Sequence, residues 1–156
     1  MPVPNQKLSK NFSLSEMLHS QTATRLGFSE QFEPSPQIIE NLRQLCINVL
    51  QPLRDNLGHS FQVSSGYRCL RTNSAIKGAK KSQHLLGQAA DIQDLDKGNA
   101  FLFKKLKELN LPFDQVIDEF GLAWVHVSHK PNGSQRGEIL KATKDKNNKT
   151  VFERVE

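Results

Sequence analysis

The sequence predicts an α+β fold with helices concentrated early and strands late. Three observations carry this. Ile38, Leu42, Leu45, Val49 and Leu53 recur at three- and four-residue steps, the spacing of one helix face. Residues 61–65, 88–93, 113–120 and 124–129 read as short strands bounded by turn residues. The last two meet at Gly121-Leu122, which suits a hairpin. With 156 residues the chain is expected to form a single compact domain over 1–156. A central antiparallel sheet should carry the site, with helices packed around it.

Ser13 and Glu16 have the S-x-x-E spacing of a capping box, so FSLSEMLHS begins a short helix. Residues 21–37, with Pro34 and Pro36, read as loop. Ser35 then caps a long helix with Pro36 at its first position, and Ile39, Cys46 and Leu50 flank the apolar stripe. Pro52 should kink or end that helix near its last turn. Residues 56–60 form a turn, 61–65 a strand broken by Gly66, and 68–76 a short helix. Residues 78–82 are a polar loop. Residues 98–109 are a helix using Phe101, Leu102, Leu106 and Leu109. A final hairpin turns around Asn147-Asn148. There is no repeat, low-complexity tract or linker.

Hydrophobic content of 37% and charged content of 24% fit a soluble globular protein. No apolar run reaches the roughly 18 residues of a membrane span, so stable membrane insertion is not expected. The start, MPVPNQKLSKNF, lacks the apolar core of a secretory signal. The expectation is a monomer made in the cytoplasm that acts after release. A net charge of +5 suits an anionic polymer. No stacking aromatic cluster accompanies the lysines, so nucleic acid is not an expected partner. Lys141, Lys144, Lys146 and Lys149 read as a solvated hairpin tip. Cys46 and Cys69 match no metal spacing and read as buried free thiols.

The chemistry concentrates in two stretches, SQHLLGQAAD over 82–91 and WVHVSH over 124–129. His84 and Asp91 cannot form a helical pair with Gly87 between them. Instead Gly87 lets the chain turn into the strand QAADIQ, where small Ala89 beside Asp91 leaves room for an ion. Trp124, His126 and Ser128 share one face of their strand, and Val125 and Val127 the other. Two imidazoles and one carboxylate, His84, Asp91 and His126, can hold Zn²⁺ and leave a fourth position for water.

Hydrolysis also needs a carboxylate beside that water. A two-residue turn at Gly121-Leu122 pairs Glu119 with Trp124 and Ile117 with His126, placing Glu119 on the face of His126. A three-residue turn would select Asp118 instead. Arg68, in SGYR, could clamp a substrate carboxylate, steady an oxyanion, or form a structural salt bridge. Ser82, Gln115 and Ser128 are candidates for contacting substrate or supporting the groups that do.

NFSLSEML, LQPLRDNLG, SSGYR, SQHLLGQAADI and FDQVIDEFGLAWVHVS resemble the zinc D-alanyl-D-alanine carboxypeptidase family. This family includes phage and bacterial cell-wall endopeptidases and shares its fold with the hedgehog signalling domain. The resemblance covers roughly residues 8–142. It implies a compact α+β fold, Zn²⁺ on His84, Asp91 and His126, hydrolysis of peptidoglycan stem peptides, and substrate contact by Arg68. Many relatives carry the acidic base three residues before the last histidine, where this chain has Ala123. A subgroup places an acid in the preceding strand, as in DEFG, which supports Glu119. The bond cleaved stays open between a terminal D-alanine, L-Ala-D-Glu and a cross-link. The small size and absent signal favour an endolysin of phage or prophage type. The alternative is a zinc-binding interaction module of the same fold without catalysis.

Overall fold

A computed structural model describes residues 1–155. β1 (Lys7–Ser9) and β2 (Phe12–Ser13) form a small antiparallel ribbon leading into α1 (Leu14–Leu18). The expected capping box is present. Ser13 Oγ accepts from Glu16 N, and Glu16 Oε1 accepts from Ser13 N. The stretch read as loop over 21–37 instead holds α2 (Gln21–Leu26) and a 3₁₀ turn (Ser29–Phe32). Ser20 Oγ caps α2 by accepting from Ala23 N at 3.1 Å, and Gly27 ends it in the left-handed region. Both signals lie in the sequence, but α2 is too short to show an apolar period.

α3 (Pro36–Leu45) begins at the Ser35 cap as expected. Pro52 does not end the helix. A π turn (Cys46–Leu50) precedes it, with Gln51 N donating to Cys46 O, and α4 (Gln51–Leu57) continues to Gly58. A proline lacks the N–H for a bond four residues back, and its ring crowds that carbonyl. Widening the turn to five-residue bonding relieves both, so the helix bulges and goes on.

β3 (Gln62–Ser65), α5 (Leu70–Ala75) and a 3₁₀ turn (Gln83–Leu86) lead to β4 (Ala89–Gln93). α6 (Asn99–Glu108), β5 (Gln115–Glu119), β6 (Trp124–Ser128), β7 (Glu138–Lys144) and β8 (Thr150–Arg154) follow. The sheet order is β3-β4-β6-β5-β7-β8. Four of its five pairings are antiparallel, and β5 with β7 is parallel. Helices and sheet together make the α+β class predicted.

One sheet face packs on the helices. Ala90 and Ile92 of β4 and Val125 and Val127 of β6 are fully buried with Leu42, Leu45, Leu53 and Leu106. Burying each leucine stabilises by about 1.5–3 kcal/mol. Cys46 and Cys69 are buried and unbonded, and burial pushes the Cys46 thiol up to about 12. Strand alternation turns the intervening residues, Asp91 and His126 among them, to the opposite face. No helix among the described residues is long and apolar enough to cross a membrane.

Candidate metal centre and its cleft

Two close approaches build the site. Gly66 lies against α1 so tightly that an added Cβ would meet Met17 O at 2.4 Å. Only glycine lets this loop pass there. Its carbonyl accepts from His84 Nδ1 at 2.6 Å, while Arg68 N donates to His84 O at 3.1 Å. Gly87, at φ 71°, closes the 3₁₀ turn carrying His84 and swings the chain into β4. Asp91 of β4 stands directly opposite His126 of β6.

His84 Nε2 is 3.3 Å from Asp91 Oδ1, and His126 Nδ1 is 3.1 Å from the same oxygen. One donor atom from each residue lies within 4.8 Å of the others, and all three side chains are buried. The tautomer of His84 follows from its partner. A carbonyl can only accept, so Nδ1 carries the proton and Nε2 presents a lone pair. Burial, against the pull of Asp91, lowers the pKa of His84 and favours this neutral form. Burial opposes ionisation of Asp91, yet positive charge at the His84 and His126 positions holds its carboxyl well below the usual range, a part that falls to a bound cation when His84 is neutral. A neutral imidazole lone pair facing a carboxylate oxygen is repulsive unless a cation lies between them. The donor set therefore fits a metal ion, with Gly66 O orienting the first imidazole from behind.

These residues floor a cleft of about 710 Å³. Glu119 and Arg68 line it. The register is as expected, with Ile117 opposite His126 and Glu119 opposite Trp124. The turn itself spans four residues, Phe120 to Ala123, rather than two. Two added residues leave the alternation unchanged, so Glu119 keeps the cleft face. Asp118 turns away and accepts from Leu122 N at 2.7 Å, bracing a turn in which Phe120 and Leu122 both have positive φ. Burial raises the Glu119 carboxyl above its ordinary value, with His126 opposing.

Arg68 is nearly buried. Nε donates to Ser65 Oγ at 3.1 Å, Nη1 to Asn73 Oδ1 at 2.9 Å and Nη2 to Asp91 Oδ2 at 3.2 Å. The structural salt bridge weighed from sequence thus exists, at the candidate centre itself. Three of the five guanidinium N–H groups are committed, and two remain. Ser82 and Gln115 line the cleft. Ser82 Oγ also accepts from His84 N, and Gln115 Nε2 donates to Glu138 Oε1. Ser128 is fully buried and does not line the cleft; its hydroxyl accepts from Gln115 N at 3.1 Å.

Sequence reasoning missed Gln31, which is fully buried. Its Nε2 donates to Leu18 O and Tyr67 O, and its Oε1 accepts from Cys69 N. It thereby clamps the backbone on both sides of Arg68. Asn73 was missed as well. It holds Arg68 with its oxygen and Ala79 O with its nitrogen. No spacing rule marks either residue: Gln31 bonds backbone groups distant in the chain, and Asn73 bonds the Arg68 side chain and a loop carbonyl.

A family model described as Peptidase M15 matches residues 10–128. No curated protein matches the chain.

Proposed function

Because this chain belongs to the Peptidase M15 family, we propose that it is a zinc-dependent peptidase that hydrolyses peptidoglycan stem peptides, a cell-wall hydrolase of the endolysin kind. The observation that carries the reading is the convergence of His84 Nε2, Asp91 Oδ1 and His126 Nδ1 on the floor of a cleft that Glu119 lines. In this reading those three residues hold the ion. Zinc bound there supplies Lewis acidity toward the scissile carbonyl and the attacking water. Glu119 takes a proton from that water and returns it to the leaving amine. Its desolvation supports the role, since a raised carboxyl holds a proton more readily between the two steps. Asp118, already bonded to Leu122 N, braces the turn.

Arg68 has a double part. Its contacts to Asp91, Asn73 and Ser65 fix the Asp91 carboxylate, and its remaining N–H groups steady the oxyanion that develops on the substrate. Ser82 and Gln115 contact the substrate along the cleft, while Ser128 supports Gln115 from beneath. The whole chain acts as one unit and as a monomer.

Digestion of purified peptidoglycan tests the reading. The zinc-loaded protein should release fragments, a chelator should stop release, and added zinc should restore it. Mass spectrometry of the products then identifies the bond. Loss of a terminal D-alanine marks a carboxypeptidase, and cleavage at L-Ala-D-Glu or a cross-link marks an endopeptidase. Stoichiometric zinc with no fragments released would leave a zinc-binding module without catalysis.

A further inference from the structure

The cleft extends beyond the segment that the family model matches, which ends at residue 128. One wall comes from the β7–β8 hairpin. Glu119 of β5 lies opposite Ala142 of β7, so Lys144 falls two residues further along the same face. β8 places Phe152 opposite Ala142 and Thr150 opposite Lys144. Lys144, Thr150 and Phe152 therefore share the face of Glu119, and all three line the cleft. Lys144 Nζ donates to Thr150 Oγ1 at 2.9 Å and stands 5.2 Å from the centre of the Phe120 ring. Phe152 is 53% exposed.

Charge is unevenly shared in this cleft. Arg68, Lys77, Lys81, Arg136 and Lys144 line it, against two carboxylates, Asp91 and Glu119. Arg68 is bound to Asp91, and Arg136 to Asp114 and Glu138. Among the described residues, no carboxylate comes within ion-pair distance of Lys144, Lys77 or Lys81. The cleft thus offers three unpaired ammonium groups, one of them on a wall with an exposed aromatic ring. Such a wall attracts a ligand that carries a carboxylate on a short apolar stem.

We propose that the β7–β8 hairpin is a specificity element, in which Lys144 binds the free D-glutamyl α-carboxylate of the stem peptide while Phe120 and Phe152 cover its stem. Lys77 and Lys81 extend the same preference for acidic peptides across the cleft. The inference rests on the peptidase reading and names the substrate class of that site.

The test uses two stem peptides that differ only in whether the D-glutamyl α-carboxyl group is free or amidated. The zinc-loaded full chain should show a KM about fivefold lower for the free acid, the scale of a partly exposed ion pair. Lys144→Met should bring the ratio near one, and Lys144→Arg should restore it. Binding is read separately from turnover, through the fluorescence of Trp124, the only tryptophan and a cleft residue. Titrations in the Glu119→Gln background avoid cleavage. If neither peptide is cut, yet fluorescence shows a preference for the free acid that Lys144→Met removes, the peptidase reading falls and the hairpin assignment stands. If both peptides are cut but wild type and Lys144→Met discriminate equally, the hairpin assignment falls and the peptidase reading stands. Absence of any fluorescence response to either peptide also overturns the hairpin assignment.

Discussion

Asp91 and His126 face each other across β4 and β6, with Asp91 Oδ1 3.1 Å from His126 Nδ1 and 3.3 Å from His84 Nε2. One carboxylate oxygen thus takes two imidazoles, and a metal ion held there would resolve the lone-pair conflict at His84. Replacing His84, Asp91 or His126 with Ala should bring bound zinc below one per chain and abolish peptidoglycan hydrolysis. Elemental analysis of the purified variants checks this. Full stoichiometry in His126→Ala would remove that residue from the ligand set.

Glu119 and Asp118 are adjacent but serve different faces. Glu119→Gln should keep zinc and lose activity by about 10²-fold or more, the scale of removing a general base. Asp118→Asn should keep most activity and cost roughly 1 kcal/mol in stability, since its carboxylate braces the turn through Leu122 N. Turnover and thermal unfolding of the two variants separate these roles. The reverse pattern would make Asp118 the proton acceptor.

Arg68 is tied into the fold more deeply than a substrate clamp alone would need. Arg68→Ala should therefore reduce turnover and also destabilise, by about 3–5 kcal/mol if Asp91 is left buried without its partner. If zinc binds at Asp91 as proposed, it should offset part of that loss by taking up the Asp91 charge. Arg68→Lys should rescue only partly, because a point charge cannot serve Ser65, Asn73 and Asp91 together. Chemical denaturation with and without zinc measures the first effect, and steady-state kinetics the second.

Gln31 should act on the reaction only through Arg68. Gln31→Met removes the clamp on Tyr67 O and Cys69 N while keeping similar volume. It should lower kcat more than it raises KM and leave zinc content intact. An equal loss of stability with no change in kcat would assign Gln31 to the fold alone.

Asp114 gives the fold a defined acid limit. Burial opposes its charge, but Arg136 and the Arg136 N–H lower its carboxyl below the ordinary value. A carboxyl depressed in the folded state stabilises above its unfolded pKa, near 3.9, and loses that contribution as pH falls toward the folded value. The melting temperature should therefore fall below about pH 4. Asp114→Asn should lower it at pH 7 and flatten this acid dependence. Asp114 also joins the start of β5 to the segment entering β7, so the effect should reach the hairpin wall.

The sequence alone determined what local chemistry controls. It gave the α+β class, the Ser13 and Ser35 caps, the turn at Gly87 and the alternation that puts Asp91 and His126 away from the core. It also placed Glu119 opposite Trp124. That register survived a turn of four residues instead of two because strand alternation depends only on parity. Short elements escaped it. α2 spans too few residues for a period, and the π turn before Pro52 reflects crowding at one carbonyl, which no apolar pattern reports. Beyond the two hairpins, only the tertiary structure decided which strands meet. The Asp91–His126 pairing, the parallel entry of β7 beside β5, the Gly66 carbonyl behind His84 and the Gln31 clamp around Arg68 all join residues far apart in the chain. Such contacts form when buried polar groups find partners during packing, and that constraint has no period in sequence.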